Sequence, residues 1–314
     1  MTIKLGVVMD PIGSINYKKD STLAMLWEAK ARGWPIYYFE AAHLFLQNGE
    51  VRGRGHLLDV FHDAQKWYEF GEQITIPLAE LDVILMRKDP PFNESYIYTT
   101  HLLAHAERHG SLVVNRTQAL RDYNEKLFAT YFPQCMPPSL VTSSLEKINE
   151  FWEEHGDIVC KPLDGMGGDS VYRLQKGDVN ARMIFNSLIG DDARYIMLQR
   201  YIPAITKGDK RILMINGEPV SYALARIPQG DDWRGNLAAG AKGKAQALSE
   251  RDQWICAQVG PVLREQGIYF AGLDVIGDYL TEINITSPTC IRELDKAMQV
   301  NISAMLMDCV EEKL

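Results

Sequence analysis

Apolar residues in the first third of the chain fall into short runs, separated by stretches with helical spacing. Ile3 to Met9 is one run; it ends at Asp10-Pro11 and predicts a buried strand entering a loop. Asp20 or Ser21 can cap a helix through about Arg32, which Gly33 stops. Ile36 to Phe39 predicts the next strand, and Asn48-Gly49 signals a hairpin between His43–Leu46 and Glu50–Val51. Val83 to Met86 predicts a strand that delivers Arg87-Lys88-Asp89-Pro90-Pro91 to its C-terminal end. A helix from Glu94 to about His109 and a strand at Leu112–Val114 follow. Strands alternating with helices predict an α/β domain with a mainly parallel sheet over residues 1–122. Ligands bind outside the carboxyl ends of such strands, where Arg87 and Asp89 would lie.

The spacing changes in the remainder. Tyr123 to Phe132 reads as a helix carrying Lys126, Pro137-Pro138 breaks the chain, and Leu145 to His155 reads as an amphipathic helix. Ile158–Cys160 predicts a strand ending at Lys161-Pro162, then the glycine-rich turn Gly165-Met166-Gly167-Gly168 and a returning strand at Val171-Tyr172. Asn216-Gly217 marks a second hairpin, joining Arg211–Ile215 to Glu218–Ala225. Residues 227–244 carry four glycines with no clear period; so long a loop in a compact domain is usually functional, often a lid. A helix over Glu250–Gln266, an apolar hairpin over Gly272–Ile285 and a last helix over Asp295–Glu311 complete the pattern.

The apolar hairpin carries three oxygen donors. Glu282 and Asn284 are two apart and share one strand face. Asp274 joins that face if the loop is odd-numbered, for instance 277–279; a two-residue loop would turn it away. Two carboxylates and an amide oxygen suit a hard cation such as Mg2+, although a plain edge hairpin with polar residues facing solvent fits equally.

Composition narrows the field. Lys plus Arg is 33 and Asp plus Glu is 41, a net charge of −8, which argues against a general nucleic-acid or anionic-membrane binder. The five cysteines are far apart with no CxxC pair, which suits a reducing compartment rather than disulfides or zinc. No apolar run approaches membrane-spanning length, so a soluble cytoplasmic protein is expected. Neither GxxxxGK[ST] nor a helix-opening GxGxxG occurs, which removes the Walker and dinucleotide readings. The glycine turn after Lys161 can still bring backbone N–H groups close to phosphate oxygens. Gln199-Arg200-Tyr201-Ile202 offers backbone groups to a base edge, with Asp209 placed for ribose hydroxyls. Arg211 and Arg226, at the ends of neighbouring strands, suit a transferred phosphoryl group or a bound carboxylate. Ser287, Thr289 and Arg292 supply hydroxyls and a carboxylate anchor, while Cys290 reads as a packed thiol.

Together, Val83 to Phe92, Asn124-Glu125-Lys126-Leu127, Lys161 to Gly168, Gly235 to Gly240 and Glu282 to Thr289 resemble the ATP-grasp ligases, and among them the bacterial glutathione synthetases. The resemblance spans essentially the whole chain. It implies a Rossmann-like parallel-sheet domain (1–122) followed by an ATP-grasp domain (123–314) of two α+β subdomains, about 123–200 and 201–314, with a lid at 227–243. It implies Lys126, Lys161, Gly165, Gly167, Gly168, Ser170, Gln199, Arg200, Tyr201, Ile202 and Asp209 on ATP, and Asp274, Glu282 and Asn284 on two Mg2+ ions that Mn2+ can replace. Arg211, Arg226 and Arg234 would be catalytic; Arg87, Asp89, Asn236, Ser287, Thr289 and Arg292 would meet the substrate. The implied reaction joins γ-glutamylcysteine to glycine with ATP, through an acyl phosphate, in a cytoplasmic homotetramer without nucleic-acid or membrane partners. Two departures stand out: Asp169, which should point outward, and Ala241-Lys242 at the lid. Another ATP-grasp carboxylate–amine ligase, such as one like D-alanine–D-alanine ligase, or a non-catalytic ATP-binding regulator remains an alternative.

Overall fold

A computed structural model describes residues 2–165, 167–191, 193–230, 235 and 240–314. The chain builds three sheets in sequence order. The first contains β1 (Leu5–Val8), β2 (Ile36–Phe39), β3 (Leu44–Gln47), β4 (Glu50–Val60), β5 (Tyr68–Pro77), β6 (Val83–Met86) and β7 (Leu112–Val114). The second contains β8 (Ser139–Thr142), β9 (Asp157–Pro162), β10 (Tyr172–Gln175) and β11 (Ile196–Arg200). The third contains β12 (Asp209–Ile215), β13 (Glu218–Ile227), β14 (Lys242–Ala247), β15 (Phe270–Ile276) and β16 (Tyr279–Asn284). Helices α1 (Ser21–Ala31), α2 (Glu94–Arg108) and α3 (Thr117–Asp122) belong to the first part, and α4 (Glu125–Ala129), α5 (Leu145–His155) and α6 (Ala181–Ile189) to the middle. Helices α7 (Glu250–Glu265), α8 (Ile291–Met298) and α9 (Ile302–Lys313) complete the chain.

The first sheet is mixed rather than mainly parallel. β2-β1-β6-β7 pair in parallel, as the alternating pattern implies, but β3, β4 and β5 add antiparallel pairings at one edge. The long β4–β5 hairpin escapes sequence reading because buried positions of β4 are filled by Gly53 and Gly55 and β5 is largely exposed. Two further expectations are corrected. The helix expected over Tyr123–Phe132 is broken, because the Asn124 side chain accepts from Lys126 N and Leu127 N and starts a new, short helix, α4. The final helix is two: Gln299 turns left-handed (φ 53°) and Asn301 caps α9 through Ala304 N at 2.9 Å.

Packing ties the first and third sheets into one body. Two hydrophobic clusters each mix residues of both, as Val8 and Met86 do with Leu273 and Leu280. Asn115 stitches them further, donating to Phe270 O (2.7 Å) and Ile285 O (2.6 Å) and accepting from Phe270 N (2.8 Å). The middle sheet closes a smaller core of its own, around Ile158, Phe185 and Leu198.

Helix α7 lies against the β12–β13 turn at backbone contact. A Cβ on Gly260 would stand 2.2 Å from Gly217 O. Gly260→Ala is therefore expected to push the helix off the hairpin and cost about 1–3 kcal/mol. A thermal midpoint equal to that of the unsubstituted protein would contradict this packing.

Candidate active site

The third sheet aligns charged side chains across adjacent strands. Register places Arg211 opposite Asp274, Asp274 opposite Glu282, and Asp209 opposite Arg226. Alternation along β12 points Asp209 and Arg211 to one face and Lys210 to the other. The Asp274–Glu282 pairing arises differently from the odd-numbered loop expected. Ile276 pairs with Tyr279, so the loop is the two residues Gly277-Asp278, and a bulge near Thr281 restores the shared face. Gly277 takes the positive φ (57°) of such a tight turn, and Thr281 Oγ1 donates to Asp274 O at 3.1 Å.

Ion pairs hold this row rigid. Arg211 grips Asp274 with two bonds (2.6 and 3.0 Å), and Arg226 reaches Asp274 Oδ1 at 3.0 Å while also bonding Asp209. Burial works against the Asp274 charge, but the two guanidinium groups outweigh it and hold the carboxyl down at about 2. At Asp209 burial wins over Arg226 and pushes the carboxyl up to about 6, and its Oδ1 is buried with no partner.

Two buried lysines arrive from the middle of the chain. Lys161, at the end of β9, donates to Glu282 Oε1 at 3.0 Å. Lys126, on α4, donates to Glu125 and to Gly165 O (2.7 Å), and Asn124 Nδ2 anchors that helix to Leu163 O at 2.9 Å. Burial disfavours charge on Glu282, yet Lys161 and Lys126 lower its pKa below the ordinary carboxylate value. Glu125, adjacent to Lys126 and given no role by the sequence, is raised by burial and by the nearby Glu282 charge.

These groups line one cavity of about 360 Å³ between the second and third sheets. Of the residues expected at the site, Asp89, Lys126, Lys161, Gly165, Gly167, Gly168, Gln199, Arg200, Tyr201, Ile202, Asp209, Arg211, Arg226, Asp274, Glu282, Asn284, Ser287 and Thr289 line it. Val159, Val171, Ile202, Ile205 and Ile276 give it an apolar wall suited to a planar base. Backbone donors near that wall are fewer than the sequence implied: Arg200 N bonds Pro138 O (3.0 Å) and Tyr201 N bonds Asp157 O (2.9 Å). Cys290 also lines the cavity, with its thiol pKa raised by burial.

Among the described residues, three expected ones do not line it. Arg87 is buried and braces the neighbouring loop, donating to Thr22 Oγ1 and Pro288 O, both at 3.0 Å. Arg292 turns to Tyr17 and Trp27 instead. Ser170 sits at positive φ (55°) in the glycine turn, and Asp169 beside it is exposed, as expected. Arg234, Asn236 and the rest of 231–234 and 236–239 in the expected lid lie outside the described residues; Gly235 between them lines the cavity. At the lid's far end Lys242 opens β14. Glu125 and Thr281 were not expected as cavity residues, because only the fold sets them beside Glu282 and Asp274.

Charge and donor chemistry make the cavity a fit for hard cations. Among the described lining residues, Lys126, Lys161, Arg200, Arg211 and Arg226 are matched by Asp89, Glu125, Asp209, Asp274 and Glu282. The walls are thus formally neutral, and a polyphosphate would need divalent cations to bring the missing positive charge. Asp274, Glu282 and Asn284 share one face; Asn284 Nδ2 donates to Asp274 Oδ2 at 3.2 Å and Arg211 and Arg226 bond both Asp274 oxygens, so a cation held there would replace those partners.

Comparison with known proteins bears on the chain as a whole. The family model of the prokaryotic glutathione synthetase N-terminal domain matches residues 3–121, and that of the prokaryotic glutathione synthetase ATP-grasp domain matches residues 125–299. A glutathione synthetase of Pseudomonas putida is 58% identical over 314 residues, 100% of this chain and 99% of that protein. One of Escherichia coli is 54% identical over 312 residues, 99% of each. Among solved structures, the ATP-grasp ligase PsnB with its minimal precursor superposes with a TM-score of 0.65 at 18% identity, covering 99% of this chain and 100% of that one, which shows a shared fold. No helix among the described residues is long and apolar enough to cross a membrane.

Proposed function

The chain belongs to the prokaryotic glutathione synthetase family, and we propose that the cavity described above is where it joins γ-glutamylcysteine to glycine at the expense of ATP. The observation that carries the site assignment is the row Arg226–Asp209 and Arg211–Asp274–Glu282, facing Lys126 and Lys161 in one cavity. Lys126 and Lys161 bind the ATP phosphates, exchanging carboxylate partners for phosphate oxygens. The glycine turn at Gly165–Gly168 adds backbone donors, the apolar wall takes adenine, and Asp209 Oδ1 takes a ribose hydroxyl. Asp274, Glu282 and Asn284 would hold two Mg2+ ions, replaceable by Mn2+, which supply positive charge to the phosphates when bound.

The γ-phosphoryl group passes to the cysteinyl carboxylate oxygen and ADP leaves. Arg211 and Arg226, locked in place by Asp274 and Asp209, stabilise charge spread over the moving group without reorganising. The glycine amine then attacks the acyl carbon, phosphate departs, and the amine's proton is lost to solvent or a nearby carboxylate. Asp89, Ser287 and Thr289, on the first-domain side of the cavity, hold the dipeptide; Arg87 acts behind them by fixing Pro288. Arg234 and Asn236 would complete the site from the lid. The matches to 3–121 and 125–299, and the separate core of the middle sheet, support a division near residue 122 and a clamp of two subdomains. Family membership is also the ground for a cytoplasmic homotetramer.

Phosphate release in the presence of γ-glutamylcysteine, Mg-ATP and glycine tests the reaction. Omitting any one should abolish sustained release; release that ignores the dipeptide but follows another acid overturns the assignment. The site makes a second, pH-dependent prediction. Asp209 takes a proton as pH falls through about 6, and its neutral form accepts a ribose hydroxyl more weakly. Between pH 7 and pH 5, kcat/KM for ATP should fall about tenfold. Asp209→Asn should be low throughout and flat in that window; a persistent fall in the variant would assign the titration elsewhere.

A further inference from the structure

A second cavity, of about 400 Å³, opens between α1, α8 and the start of α9, and shares no lining residue with the first. One wall is aromatic: the Trp27 ring stacks on His62 with centroids 4.0 Å apart. Arg292 lies over the Trp27 ring at 4.5 Å and donates to Tyr17 O. Among the described residues it has no ion pair, so its charge is held by ring faces and a carbonyl. Asp295, one helical turn further along α8, also lines the cavity. One of its oxygens accepts from Ile302 N (2.9 Å), and it too lacks an ion-pair partner among the described residues. Burial accordingly pushes its carboxyl up to about 6. Ser303 is 2% exposed and its hydroxyl has no hydrogen-bond partner. Glu28, the other acid present, is already engaged by Arg32 (2.9 Å) and Asn301 (2.8 Å).

A half-buried guanidinium and a half-buried carboxylate that feel each other's charge but stand beyond ion-pair contact, and an unpartnered buried hydroxyl, thus meet beside an aromatic face. A buried hydroxyl in a folded protein is normally partnered, so Ser303, beside two charges with hydrogen-bonding capacity to spare, asks for a missing partner. The two unpaired charges have opposite sign, and they sit three residues apart on one helix. We propose that this cavity binds a small zwitterion, a free α-amino acid or short peptide, with its carboxylate on Arg292, its ammonium on Asp295 and its side chain against Trp27. The site is independent of the catalytic cavity and does not rest on the reaction assigned there.

Trp27 provides a direct reporter. Fluorescence of the full-length protein, corrected with Trp27→Phe, is titrated with L-glutamate, L-methionine and glutathione, and with glutarate as a partner lacking the ammonium. At least one zwitterion should give a saturable change at millimolar or lower concentration, and glutarate should bind more weakly than L-glutamate. Arg292→Met and Asp295→Asn should each weaken the zwitterion at least tenfold, while Lys161→Met, in the catalytic cavity, should leave it intact. No saturable change with any zwitterion overturns the proposal, as does binding that survives both Arg292→Met and Asp295→Asn. Loss in Lys161→Met would place the ligand in the catalytic cavity instead, and glutarate binding as tightly as L-glutamate would show an anion site.

Discussion

Asp274→Asn is expected to lower kcat by about 10²–10³ and, in the same variant, to cost about 3–5 kcal/mol of stability. Both effects come from one carboxylate. Its bonds to Arg211 (2.6 and 3.0 Å) and Arg226 (3.0 Å) orient the two guanidinium groups toward the cavity. The substitution leaves Arg211 without its carboxylate and Arg226 with Asp209 alone, and removes one negative charge from the cavity wall. The pH dependence separates this from general damage. The Asp274 carboxyl is held at about 2, below its ordinary value of about 3.9, so its stabilising contribution is complete above that ordinary value and is lost as pH falls through about 2. The stability gap between the unsubstituted protein and Asp274→Asn should therefore be widest above pH 4 and close toward pH 2. Thermal midpoints that run parallel from pH 7 to pH 2, or near-normal turnover in the variant, would refute the role given to Asp274.

The second large effect concerns the opposite face of the same strand. Lys210 donates to Asp252, which is fully buried, and to Gly277 O at 3.0 Å. Asp252 is also the third helical residue of α7, where it completes a capping box by accepting from Ser249 N at 3.0 Å. Lys210→Met leaves that carboxylate buried without its cation and should cost about 3–5 kcal/mol. The double variant Lys210→Met with Asp252→Leu removes both charges and should recover most of the loss, short of about 1 kcal/mol for the cap. Lys210 also pins the turn of the hairpin that carries Asp274 and Glu282. In both variants the Mg2+ concentration for half-maximal activity should accordingly rise several-fold, even where stability recovers. A double variant no more stable than Lys210→Met, or an unchanged Mg2+ requirement, would remove this account of Lys210.

Much of this molecule is legible from local chemistry. Asp20, Asn93, Ser144 and Ser249 each accept from a backbone N–H two or three residues into the helix they open, so those starts follow from short-range hydrogen bonds. Asn48-Gly49 and Asn216-Gly217 adopt the positive φ values their hairpins need. Lys126, Lys161, the glycine turn and the Asp274–Glu282–Asn284 triplet stand in motifs whose resemblance to the ATP-grasp ligases singled them out, and folding brings them to one cavity.

What the sequence could not settle depends on contacts between distant segments. It named the partners Asp274 and Glu282 but reached their pairing through the wrong loop, since a bulge depends on how Thr281 bonds across the hairpin. Arg292 reads as a substrate anchor beside Thr289, yet helix α8 turns it toward Trp27 on α1, more than 250 positions earlier in the chain. Glu125 acquires its raised pKa because folding buries it and also brings the Glu282 charge near it. Motif resemblance identified the family, and residue type and spacing by themselves determined most of the element order. Tertiary packing alone decided which charges face one another, because burial and Coulomb interactions act through space, without regard to separation along the chain.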